Sequence, residues 1–152
     1  MKNILPLILL VPMLLLLTAC PGPSPYPTPM GKMNVTIDGH NWTATNIEAS
    51  EYTNNFGRTF YIRATNVSDK WVIINFYDLT TTGNYPITNI NHGPTGKGFV
   101  MATYTAAYQE DPADTGLVTV TSVTDKSVAG TITFITNKGV NITNGTFNVS
   151  HQ

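Results

Sequence analysis

The feature that most constrains this chain is a strict two-residue alternation near its C-terminal end. Val128, Gly130, Ile132 and Phe134 alternate with Ala129, Thr131, Thr133 and Ile135. A period of two places one set on a buried face and the other on the opposite face of an extended strand. The same pattern recurs at Phe60, Ile62 and Ala64 against Tyr61, Arg63 and Thr65, and again at Val72, Ile74 and Phe76. There Trp71 and Ile73 fill the other parity as well, which marks a strand central in its sheet. No stretch of the domain sustains helical periodicity.

Composition agrees. The chain holds 15 Asn and 24 Thr, while charged residues make up 11% of it, against about 25% in a typical soluble protein. Thr suits the outer face of strands, and Asn with Gly suits turns. Both are mediocre helix formers.

The turns divide the chain into about nine strands. Asp38-Gly39 favours a two-residue hairpin with positive φ at both positions. That register sets Ile37 opposite His40 and Val35 opposite Trp42. Further turns are expected near Ser68-Asp69, over 80–84, at Asp125-Lys126 and at 137–139, with longer loops over 91–98 and 110–116. Short strands are expected over 85–90 and 99–108. Val140 and Ile142 lie on one parity, Phe147 and Val149 on the other. A one-residue slip would turn half of them outward, so a β-bulge is predicted at Asn144-Gly145. The fold class is therefore all-β, an antiparallel β-sandwich of about nine strands, with a closed β-barrel as the alternative.

The N-terminal segment has a different character. Lys2 precedes an apolar stretch from Ile4 to Leu17, the plan of a secretory signal. Leu17-Thr18-Ala19-Cys20 resembles a bacterial lipobox, in which cleavage falls before the cysteine and the thiol receives diacylglycerol. The apolar run is short for a membrane span, which needs about 20 residues, and Pro6 and Pro12 interrupt it. The expected organisation is a signal peptide over 1–19, lipidated Cys20 with a Pro-rich linker over 20–31, and an all-β domain over 32–152. Cys20 is the lone cysteine, so no internal disulfide forms. Proline at every second position from 21 to 29 favours an extended spacer of roughly 30 Å.

The stretches Val35 to Ala44, Asn84 to Thr88, Val128 to Phe134 and Val140 to Phe147 resemble small lipoproteins of unknown function from Bacteroidetes-type bacteria. The resemblance implies an outer-membrane lipid-anchored location and a β-fold, and it supplies no catalytic residues. In such bacteria acidic residues after the lipidated cysteine often accompany surface display. Pro21 to Pro25 contains none, which leaves the periplasmic face and the cell surface both open.

The partner expected first is the lipid bilayer, through acylated Cys20. Lys and Arg are scattered singly, without the basic patch that nucleic acid requires. The three histidines, His40, His92 and His151, sit beside a hairpin turn, in a glycine loop and next to the last residue. They define no triad, no zinc site and no cofactor site. The domain is thus expected to bind or to serve a structural role, not to catalyse. The alternatives are a glycan-binding accessory lipoprotein and an envelope enzyme with an unrecognised site.

Trp71, Tyr61, Tyr77 and Tyr85 are the candidate ligand-binding residues, for a glycan or an envelope protein, because rings offer flat apolar area with a polar tip. Trp42 and Tyr104 are expected in the core. Glu110, Asp111 and Asp114 gather carboxylates in one stretch and form a weak calcium candidate.

Overall fold

A computed structural model describes residues 31–55, 57–89 and 98–151. The expected signal peptide, Cys20, the proline run and His92 lie outside the described residues. The described residues form ten strands. They are β1 (Gly31–Ile37), β2 (His40–Thr43), β3 (Asn46–Asn54), β4 (Gly57–Thr65), β5 (Lys70–Tyr77), β6 (Gly83–Ile87), β7 (Phe99–Ala106), β8 (Gln109–Val123), β9 (Ser127–Thr136) and β10 (Asn141–Ser150).

The strands lie in one sheet in the order β2-β1-β10-β9-β8-β6-β7-β5-β4-β3, with β8 also paired to β7. The ladders are antiparallel except for a single parallel contact of β6 with β7 at Ile87 and Val100, which makes the sheet mixed. It does not close into a barrel. Instead its two halves face each other in a sandwich-like arrangement. Phe76 of β5 meets Phe147 of β10 at 6.0 Å between ring centroids, although these strands are far apart in the order.

The two strands at the ends of that order are consecutive in the chain. Ala44 N–H donates to the Met33 carbonyl (3.0 Å), and Thr45 N–H donates to the Thr65 carbonyl (2.8 Å). Within two residues the backbone leaves the partner of β2 and joins the partner of β3. Strands that change sides at a corner are how such sandwiches turn.

The buried face follows the alternation. Val128, Ile132 and Phe134 are buried, as are Phe60, Ile62, Ala64, Val72, Ile74 and Phe76. Trp42 and Tyr104 belong to this core. The first hairpin has the expected register, Ile37 with His40 and Val35 with Trp42, and φ is positive at Asp38 and Gly39. The β10 ladder to β9 shifts between Ile142 and Gly145, and Ile142, Phe147 and Val149 are all buried. The predicted bulge is therefore present.

On the outer face of the β1 side, a polar row crosses six strands. Thr43, Asn34, Thr146, Thr131, Thr119 and Asn84 are successive ladder partners. Thr43 Oγ1 donates to Asn34 Oδ1 and Thr119 Oγ1 to Asn84 Oδ1, both at 2.8 Å. This is where much of the chain's Thr and Asn goes.

Two expectations need correction. The segment 46–54, not recognised as a strand, is β3. The stretch 110–116, expected as a loop, lies inside β8. Pro112, which has no N–H to give to a ladder, sits where the pairing of β8 with β7 ends, at Thr103, and just before its pairing with β9 begins, at Ala113.

A polar clasp holds the C-terminal end against β3 and β4. Arg58 Nη2 donates to Glu51 Oε2 (2.7 Å) and to the Thr124 carbonyl (3.2 Å). His151 Nε2 lies 2.8 Å from the Asp125 carbonyl and 3.2 Å from Glu51 Oε2. The Arg58 guanidinium, hydrogen-bonded to it, holds the Glu51 carboxyl below its ordinary value of 4.5. A depressed carboxyl stabilises the fold above the unfolded value, and that stabilisation is lost as pH falls through the folded value. We expect thermal midpoints to fall as pH drops below about 4.5, with the Glu51→Gln variant showing a shallower fall. The pair is partly exposed, so the effect should stay below about 1 kcal/mol. Equal acid slopes for both proteins would show that the pair contributes nothing.

Candidate functional site

The second outer face, on β3, β4, β5 and β7, has a different chemistry. The residues that alternate with the core there include Tyr61 and Arg63 on β4, then Trp71, Ile73, Asn75 and Tyr77 on β5. Phe99, Met101, Thr103 and Thr105 of β7 stand opposite these β5 positions. Glu48, Ser50 and Tyr52 complete the face on β3. Trp71 and Tyr77 are six residues apart on one strand, about 20 Å at the usual rise.

The rings on this face pack on one another. Tyr77 stacks on Phe99 with 4.4 Å between centroids and 11° between planes. Arg63 lies over Trp71, 4.2 Å from its centroid, and Arg63 Nη1 is 3.4 Å from Glu48 Oε2. Tyr108 meets Trp71 edge-to-face at 5.9 Å. Thr59, the ladder partner of Tyr77, and Thr105, the partner of Trp71, are fully buried, and neither hydroxyl has a hydrogen-bond partner among the described residues. Desolvation pushes the hydroxyls of Tyr61 and Tyr77 above the ordinary tyrosine value. Both stay protonated at neutral pH and can donate hydrogen bonds.

Three of the four aromatic candidates, Tyr61, Trp71 and Tyr77, therefore share one face. Tyr85 does not. It is 8% exposed, its ring packs edge-on against Phe76 at 6.3 Å, and its hydroxyl donates to the Thr81 carbonyl (2.6 Å). It is a core residue. The signal lay in the sequence, since Tyr85 shares its parity with buried Ile87.

Two rings that sequence reasoning passed over are the most open. Tyr52 is 45% exposed and Tyr108 is 70% exposed. Tyr108 sits in the two-residue turn between β7 and β8, with φ of 48° at Ala107 and 62° at Tyr108. Such a turn requires positive φ at both positions and is normally built from Asn and Gly. An L-residue with a larger side chain there costs about 1–2 kcal/mol. No sequence signal marks an Ala-Tyr pair as this kind of turn.

The calcium candidate disperses. Glu110 is exposed and stands opposite Thr105 on the outer face. Asp111 is 4% exposed, and its Oδ1 accepts from the Lys138 backbone N–H (3.2 Å) while Oδ2 is unpaired among the described residues. It borders a cavity of about 130 Å³ with Tyr104, Gln109 and Lys138. Asp114 Oδ1 accepts from Asn89 Nδ2 (3.0 Å), which also donates to Asn137 Oδ1 (3.0 Å). Successive strand residues face opposite ways, so Glu110 and Asp111 cannot hold one ion. Among the described residues no group of three or more His, Cys, Asp or Glu converges on a metal position. His40 Nδ1 is 3.0 Å from the Asp38 carbonyl, and His151 belongs to the clasp.

Compared with protein families, with curated proteins and with solved structures, the chain finds no match.

Proposed function

We propose that this chain is a lipid-anchored envelope protein whose β-domain binds a ligand non-enzymatically, with the outer face of β3, β4, β5 and β7 as the contact surface and a glycan as its ligand. One observation carries the reading: Tyr61, Trp71 and Tyr77, with Tyr52 and Tyr108, gather on one outer face, while the described residues of the opposite outer face, chiefly Thr and Asn with exposed Leu117 and Ile135, include no aromatic ring. Exposed aromatic clusters mark binding surfaces, and rings with polar tips suit ligands that are apolar on one side and hydroxylated at the edge. The anchor follows from the cysteine motif at position 20. Two or more acyl chains give stable membrane attachment.

The test is thermal unfolding of the chain 20–152 carrying Cys20→Ala against a panel of soluble polysaccharides. A ligand at 100 times its dissociation constant stabilises the native state by about 2.7 kcal/mol, a readily measured shift. A shift that Tyr61→Ala and Tyr77→Ala diminish supports the face. An unmoved midpoint across the panel rejects a glycan ligand. In cells, Cys20→Ala should release the full protein from membranes, and persistent membrane attachment rejects the anchor.

A further inference from the structure

Trp71 is the largest ring on the aromatic face, and two neighbours already engage it. Arg63 covers one side and Tyr108 meets it at a near-right angle. The ring open to solvent at this end is Tyr108. It stands on a turn whose two residues, Ala107 and Tyr108, both adopt left-handed backbone, which Asn-Gly would satisfy without strain. Strained backbone of this kind persists where the surroundings enforce it, and it clusters at functional sites.

The charges near Tyr108 bear on the ligand. Glu48 and Arg63 neutralise each other across β3 and β4. Glu110, exposed and opposite Thr105, is accompanied at this end by Lys70, the ladder partner of Ala106, and by exposed Asp69 before it. Charges of both signs are interspersed with no run of either, so the local field favours an uncharged ligand over a polyion.

We propose that Tyr108, presented by this strained turn beside Trp71, is a principal contact residue of the face, and that the ligand it takes is a neutral extended polysaccharide. The proposal rests on the binding reading given above and adds to it the contact residue and the ligand class. The ring of Tyr108 would stack against a sugar face, and the polymer would continue over the face toward Tyr77.

The test compares the chain 20–152 carrying Cys20→Ala, which retains the whole ten-stranded sheet, with the same chain carrying Ala107→Asn and Tyr108→Gly. The probes are soluble neutral β-glucan, mannan and xylan, with alginate and polygalacturonate as anionic controls. Binding is read by titration calorimetry and stability by the thermal midpoint. We expect the double variant to melt higher by roughly 3 °C and to bind the neutral polymer at least tenfold more weakly, while Tyr108→Phe retains most of the affinity. Unchanged affinity in the double variant overturns the assignment of Tyr108 and leaves the aromatic face standing. A double variant that melts lower also overturns it, because Tyr108 is then a cover for Trp71. Binding of the anionic polymers alone overturns the ligand class. Failure of the parent chain to bind any of the five polymers overturns the face reading and this proposal together.

Discussion

Replacing Phe76 by alanine should cost the domain about 3–5 kcal/mol, the usual loss for a fully buried phenylalanine. Phe76 is completely inaccessible and touches Tyr85 of β6 and Phe147 of β10. It is therefore the ring through which one half of the folded sheet rests on the other. Its removal leaves a cavity between halves that share only limited direct ladder pairing, so collapse around it should be incomplete. Urea unfolding would show this as a midpoint lower by at least about 1 M with an unchanged slope. Val67→Ala is the control, because Val67 is 89% exposed and should change little. If both variants unfold at the same urea concentration, the two halves do not meet across Phe76.

The second large effect is expected at Gly130. Its backbone φ is not in the left-handed region, so the need for glycine is one of space. A Cβ there would lie 2.2 Å from the Thr119 carbonyl oxygen and 2.9 Å from the Phe147 ring. The carbonyl belongs to β8, the ladder partner of β9, and cannot swing away as a side chain could. Gly130→Ala should force β8 and β9 apart and cost about 1–3 kcal/mol or more, as overpacking does. Gly139→Ala provides the contrast. That glycine has φ of 85° and nothing within 4 Å of an added Cβ, so only backbone strain of about 1–2 kcal/mol applies. Thermal midpoints decide between them, and a Gly130 variant that melts no lower than the Gly139 variant would contradict the close approach.

Much of the core was legible before the structure. The alternation through 128–135, the first hairpin and the bulge of β10 all rest on local rules, because a strand with one buried face writes its register into its side chains. β3 was not legible for the opposite reason. Of 46–54, only Ile47 is fully buried, and the segment is held by its ladder to β4, which no local pattern records. The continuity of β8 through Pro112 was not legible because that proline falls between the end of one ladder and the start of the next, a placement that no local pattern records. The candidate site was half legible. Parity placed Tyr61, Trp71 and Tyr77 together once their strands were paired. Tyr108 was absorbed into the preceding strand because its turn lacks the Asn-Gly signature.

The pairing of β1 with β10 bears on how the chain reaches its folded state. Gly31 is the ladder partner of Val149 and Ile37 of Ile142, so the first strand is completed by the last. During vectorial synthesis, β1 has only β2 beside it until β10 emerges. An isolated two-stranded hairpin is at best marginally stable in water, and ladders of long sequence separation form slowly. The domain is thereby kept from closing early. A chain interrupted before residue 141 should leave both β1 and β9 with unpaired edges, open to quality-control proteases, whereas the finished chain closes them in one late step.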